Sequence, residues 1–311
     1  MTTERELRTI LITEEFDGER VDAALAKILE LSRSSVADLL NAGDVIQGKK
    51  PLSKSDRVKA GDKIKITMPA PFDPLQLSMT PVADLEIIYQ DDDVVVVNKP
   101  VGVAAHPSPG WLGPTVLGGL LAQGINISTS GPHERQGIVQ RLDVGTSGLM
   151  LVAKNEFSYN AMKDQFRQRT VKKVYHTLVQ GHMDPQEGTI DAPIGRHPRE
   201  DYRFAVVADG KPSITHYSLI EYFAGASLLR VELETGRTHQ IRVHFNALRH
   251  PLVGDLSYGA DPVLAARLEL TRPWLHAMEL TFTQPSTDNR LTFEVPYPED
   301  LKRALELLAT L

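Results

Sequence analysis

The run Gln140-Arg141-Leu142-Asp143-Val144-Gly145-Thr146-Ser147-Gly148-Leu149 sets one carboxylate in a turn rich in Gly, Thr and Ser. Strand-like stretches at 137–141 and 149–153 flank the turn, so Asp143 is displayed at the rim of a sheet, where a carboxylate can act as a nucleophile or a base. An Asp in such a turn can equally do no more than accept hydrogen bonds from its own turn amides. Ser147 is the weaker candidate nucleophile, because the frame is not G-x-S-x-G and no base adjoins it.

Three further stretches carry reactive side chains. In Thr235-Gly236-Arg237-Thr238-His239-Gln240-Ile241-Arg242-Val243-His244, a Thr-Gly turn opens a helix with His239 and Arg242 three residues apart on one face. Asn246 and Arg249 extend that face, and Ile241, Phe245 and Leu248 are expected to point inward. A guanidinium so placed can be held rigidly against a carboxylate or phosphate, although a solvated basic helix has the same pattern. The spacing is not H-E-x-x-H, so no zinc site is read here. In Lys172-Lys173-Val174-Tyr175-His176 a strand tyrosine stands beside two cations, which suits stacking on a base but also suits a core position. Lys99 follows an apolar strand and precedes a Pro- and Gly-rich loop, and is expected at the surface.

The elements that must position these groups follow from periodicity. The Pro-rich stretch 69–84 reads as a linker between a small module, 15–68, and a larger domain, 85–311. The module carries two short helical patterns, the second capped by Ser34, and strands at 45–47 and 63–67. Beyond the linker, strands are expected at 85–90, 93–98, 137–141, 149–153, 174–180, 215–222, 228–234 and 291–295, with helices at 156–169, 239–248 and 299–308. Strands adjacent in sequence with occasional helices make an α+β domain on a mainly antiparallel mixed sheet.

Composition limits the function classes. The 311 residues hold 34 Lys and Arg against 40 Asp and Glu, a formal charge of −6, which is not that of a polybasic nucleic-acid binder. The charge is unevenly placed: eight basic and three acidic residues lie in 135–175, and eight basic, Arg33 among them, and four acidic in 33–65. The segment between them, 71–93, has six acidic residues and no Lys or Arg. With no cysteine there is no disulfide, thiolate nucleophile, Cys-ligated zinc or iron–sulfur cluster. No secretory leader or membrane-spanning run is read, and a cytoplasmic location is expected.

In order and together, these stretches resemble the RluA-type RNA pseudouridine synthases, whose hallmark is an H-R-L-D-x-x-T-S-G-L run. The likeness continues through NKPVGVAAHP, KKVYHTLVQG and GRTHQIRVHFNALRHPLVGDLSYG, and covers 85–298. Residues 15–68 are similar to the alpha-L RNA-binding motif. The resemblance implies that Asp143 attacks a uridine, at the ring or at the anomeric carbon, and that the base detaches, rotates and rejoins through carbon. It implies that Arg242 pairs with Asp143, that Tyr175 stacks on the target base and assists proton removal, and that Arg141 holds the flipped nucleotide out of its stack. Lys173, Arg237, His239, Lys99 and Arg33 are expected to contact RNA. Gln140 stands where the family usually has His, which is expected to alter RNA contacts or rate without abolishing activity. The implied partner is structured RNA of the large ribosomal subunit (23S type), bound by a monomer with no cofactor and no metal. The alternative is a non-catalytic RNA-binding or ribosome-assembly factor on the same fold.

Overall fold

The computed structural model describes residues 7–29, 33–68, 80–108, 111–131, 135–200 and 203–311. The chain divides into two compact units, 1–76 and 77–311. Most of the expected linker, 69–79, lies outside the described residues.

In the first unit, β1 (Leu7–Leu11), α1 (Val21–Ile28), α2 (Arg33–Asn41), β2 (Val45–Gln47), β3 (Lys50–Pro51) and β4 (Lys63–Thr67) follow one another. The antiparallel sheet has the order β1-β4-β2-β3. Alternation in β4 turns Lys63 and Lys65 outward and buries Ile64 and Ile66 against Val21, Leu25 and Val36 of the helices. Strand β1, absent from the periodicity reading, pairs along the whole of β4.

The second unit is built on β5 (Glu86–Gln90), β6 (Val94–Lys99), α3 (Val116–Ala122), β7 (Ser147–Ala153), α4 (Glu156–Arg167), β8 (Lys172–Gln180) and β9 (Glu187–Asp191). It continues through β10 (Ile194–Arg196), β11 (Phe204–Val206), β12 (Ile214–Phe223), β13 (Ala226–Leu233), α5 (Gln240–Ala247), α6 (Pro262–Arg267), β14 (Leu275–Thr283), β15 (Arg290–Glu294) and α7 (Glu299–Leu308). One sheet runs β5-β6-β7-β14-β8-β13-β12-β9, with β15 also on β14 and a separate β10–β11 hairpin. Only the β7–β14 pair is parallel in this sheet, so the fold is α+β on a mixed, mainly antiparallel sheet.

Strands β6 and β7 are apolar on both faces because both are covered. Val95, Val97, Met150 and Val152 pack with Leu117 and Leu120 of α3, and Val94, Val96, Leu149 and Leu151 pack with Met162 of α4. Helix α4 starts at a capping box in which the Asn155 side chain accepts from the Ser158 amide. At the parallel junction Gly148 has φ +112°, and a Cβ there would collide with the Ala277 backbone, so only glycine lets β7 reach β14 this closely.

Two expectations are corrected, and the weaker standing of Ser147 is upheld. Residues 137–141 form no strand; Ile138 makes a single bridge to Val152 while the chain around it is irregular. Leu248 is exposed because α5 ends at Ala247. Ser147 is 2% exposed and hydrogen-bonded to His276 (Oγ to Nδ1, 2.9 Å), so no substrate can reach it.

Candidate active site

Asp143 lies in the turn that leads into β7, and the main chain of that turn is fixed from several sides. The Thr146 amide donates to the Asp143 carbonyl (3.0 Å), the Gly102 amide to the Val144 carbonyl (2.9 Å), and Arg272 Nη1 to the Gly145 carbonyl (3.2 Å). Arg272 is itself held by Asp300 at the start of α7 (Nε to Oδ2, 2.6 Å). With its backbone so braced, the Asp143 side chain is free of turn duty. Among the described residues its carboxylate accepts from Arg242 Nη1 at 3.3 Å and from no turn amide.

Arg242 is placed by helix α5 and shared between two carboxylates. Its Nε and Nη2 donate to Asp255 (2.6 and 2.9 Å), Nη2 also donates to Ser257 (2.6 Å), and the guanidinium carbon lies 4.7 Å from the Tyr258 ring centroid. Burial pulls the guanidinium pKa down, but the Asp255 hydrogen bonds and charge, with the Asp143 charge, more than offset this and leave it above the ordinary arginine value. The cation facing Asp143 is therefore permanent and geometrically fixed.

The turn before α5 is pinned by Gln240, which is buried. Its amide oxygen accepts from Thr235 Oγ1 and the Arg237 amide, and its nitrogen donates to the Ile214 carbonyl and Thr215 Oγ1. This arrangement sets His239 at φ +56°, with Nε2 3.8 Å from Asp143 Oδ2. Burial, then the charges of Arg242 and Arg141, hold the imidazole below its ordinary pKa against the opposing pull of Asp143 and Asp255. The shift favours its neutral form.

Tyr175 on β8 is 7% exposed and lines the same cleft. Burial and the Asp143 charge push its phenol well above the usual range, so the hydroxyl keeps its proton in the free protein. The cleft, about 1070 Å³, is bordered by Asp143, Tyr175, Arg242, Arg141, Arg237, His239 and Lys173. Arg141 is exposed and reaches Thr238 Oγ1 at 3.5 Å, and Arg237 is tied to the Pro212 carbonyl (3.1 Å). Lys173 lies 5.9 Å from the Phe166 ring centroid, and burial together with the Arg169 charge brings its pKa down to about 8. Gln140 also lines the cleft, with an amide nitrogen that is buried and has no hydrogen-bond partner among the described residues.

Lys99 is a correction. It is 0% exposed and its ammonium donates to the Pro100 and Val103 carbonyls (3.0 and 2.7 Å), so it braces the loop behind the turn and cannot face RNA. Burial brings its pKa to about 7 although the Asp143 charge works the other way. Arg33 begins α2 in the other unit, and its side chain lies outside the described residues. The residues that sequence reasoning passed over are Asp255, Tyr258, Gln240 and Arg272. Asp255 and Tyr258 lie within the quoted GDLSYG segment, but nothing in their spacing from Arg242 announces a contact.

Among the described residues no group of His, Asp or Glu is placed to hold a metal ion, and no helix is long and apolar enough to cross a membrane.

Comparison with known proteins identifies the family. Residues 93–247 match the RNA pseudouridylate synthase family. A Mycobacterium bovis protein described as an uncharacterized RNA pseudouridine synthase is 54% identical over 301 residues, covering 97% of this chain and 98% of its own. The ribosomal large subunit pseudouridine synthase D of Neisseria meningitidis is 41% identical over 304 residues, covering 94% of this chain and 80% of that one. Human RNA pseudouridylate synthase domain containing 1 superposes with a TM-score of 0.57 at 30% identity, over 70% of this chain and 86% of that one. With relatives this similar along nearly its whole length, and an Asp–Arg pair at the mouth of a basic-rimmed cleft, the chain belongs to the RNA pseudouridine synthases of RluA type, which are isomerases.

Proposed function

We propose that this enzyme isomerises specific uridines in large-subunit ribosomal RNA, with Asp143 as the nucleophile, Arg242 as its fixed counter-ion and Tyr175 as the residue beneath the target base. The observation that carries this reading is the 3.3 Å approach of Arg242 Nη1 to an Asp143 carboxylate that no turn amide occupies. The isomerisation breaks the C1′–N1 bond, forms a C1′–C5 bond, and passes the C5 proton to a base, with N1 regaining a proton. No electron is exchanged and no group leaves the product, so the residues of the cleft suffice.

The charge on Asp143 couples the two ends of that sequence. While it is a carboxylate, its charge helps keep the Tyr175 phenol protonated. Where Asp143 is bonded to the ring, that charge is absent until the adduct breaks down, which eases loss of the phenol proton; where it is bonded to C1′, attack by C5 breaks that bond and restores the carboxylate before the C5 proton leaves, with Tyr175 placed to assist its removal. Arg141, at the exposed rim, is suited to fill the space left by a base drawn into the cleft. The N-terminal module, with β4 lysines outward, is assigned to RNA binding as an alpha-L-type unit, and the protein to a monomer.

Support for the ribosomal substrate comes from the Neisseria relative's name. The test is ribosomal RNA tritiated at uridine C5, incubated with the purified protein. Release of label without free uracil is expected. Free uracil would indicate a hydrolase, and bound but unchanged RNA would indicate a non-catalytic assembly factor. Mapping pseudouridines in large-subunit RNA with and without the gene then identifies the position.

A further inference from the structure

Behind His239 lies a hydrogen-bond chain that the reaction as described does not use. Tyr258, 1% exposed, places its hydroxyl 2.9 Å from His239 Nδ1 and 3.1 Å from the Phe204 amide of β11. A backbone amide can only donate, so the phenol oxygen accepts from Phe204. Its own hydrogen is then directed to His239 Nδ1, its other partner among the described residues, because a buried hydroxyl left without an acceptor is disfavoured. An accepting Nδ1 puts the imidazole proton on Nε2, the nitrogen that faces Asp143 Oδ2 at 3.8 Å.

We propose that Tyr258 is a positioning residue that fixes His239 in the Nε2–H tautomer, so that a neutral imidazole donates to the Asp143 carboxylate and orients it for attack. The chain runs from the Phe204 amide through the Tyr258 hydroxyl and the His239 ring to the nucleophile, beside the Arg242 guanidinium that rests on the same Tyr258 ring. The hairpin carrying Phe204 thereby sets the state of the carboxylate. Burial and the Arg242 and Arg141 charges, which hold His239 below its usual pKa against Asp143 and Asp255, favour the neutral form this donor role needs. The 3.8 Å separation is long for a hydrogen bond, as catalytic contacts often are before substrate closes the site. The proposal rests on the reading of Asp143 as the nucleophile.

Two substitutions at position 239 give opposite orders under opposite explanations. Its φ of +56° favours Asn over Gln on backbone grounds, so a purely structural role predicts that His239→Asn is the better enzyme. The donor role predicts the reverse, because a Gln amide reaches the Nε2 position and an Asn amide does not. We expect turnover to fall less than about tenfold in His239→Gln and more than about fiftyfold in His239→Asn, with KM changed by less than about threefold in both. Tyr258→Phe keeps the ring under Arg242 and should lower kcat about tenfold in the natural background, yet cost nothing further in His239→Gln. Nitrogen NMR of His239 supplies a readout separate from activity: Nε2 carries the proton in the natural enzyme, and Tyr258→Phe removes that bias. His239→Asn outperforming His239→Gln, a protonated Nδ1, or an unchanged tautomer in Tyr258→Phe would each overturn the proposal. Asp143→Asn in the same turnover assay reports on the parent reading alone, since the tautomer measurement does not depend on turnover.

Discussion

Arg242 divides its guanidinium between two carboxylates, and the distances rank them. Asp255 takes the closer, two-pronged contact at 2.6 and 2.9 Å, leaving the longer 3.3 Å edge for Asp143. Asp255 thus positions the arginine without occupying Asp143. Replacing Asp255 by Asn leaves a buried guanidinium underpaired, and we expect a loss of about 3 kcal/mol in unfolding free energy together with a turnover drop of about a hundredfold. Denaturant unfolding and steady-state kinetics on the same variant check both, and a fall in stability with unchanged kcat would separate Asp255 from the site. At this scale the sequence was only partly legible. Asp143 and Arg242 are 99 residues apart, and their pairing followed from family resemblance, not from spacing. Lys99 was misread because a lysine after an apolar strand looks like a surface charge, whereas two main-chain carbonyls offered it a buried partner set.

At the scale of elements, β14 is the strand on which the sheet turns from parallel to antiparallel pairing, and it was not visible in the sequence. Its residues Leu275–Thr283 read LHAMELTFT, where a buried His276 and Ala277 hide the apolar alternation that marks a strand. The reading at 137–141 failed for the opposite reason, since an apolar pair there packs through one bridge without a ladder. Helix α4 was legible because its cap and amphipathic spacing agreed with the tertiary fold, and α7 because its amphipathic spacing did. The buried His276 makes the β7–β14 junction sensitive to acid. Burial, then the Arg272 charge, lowers its pKa from 6.5 to about 4, so the unfolded chain binds a proton there that the folded chain does not across that interval. Its contribution is complete above about pH 6.5 and is lost as pH falls toward 4, at a cost of about 3 kcal/mol. Unfolding of His276→Gln between pH 7 and pH 4 should show a flatter loss than the natural protein. Equal slopes would contradict the assignment.

For the molecule as a whole, a charge of −6 coexists with a cleft bordered by Arg141, Lys163, Arg167, Arg169, Lys173 and Arg237. Some of these cations are already engaged: Arg167 pairs with Asp164 and Arg169 with Glu234. The four other cleft cations and the outward Lys63 and Lys65 of β4 leave about six for phosphates, so RNA binding should weaken with salt along a logarithmic slope of about −3 to −5, and a slope steeper than about −7, implying ten or more phosphates, would show that the charge map is wrong. The central claim concerns one carboxylate, and one substitution isolates it. Asp143→Asn preserves volume while removing the carboxylate, and C5-tritium release from ribosomal RNA should fall to background, with RNA affinity within about threefold of the natural protein. Label release retained within tenfold would contradict Asp143 as the nucleophile.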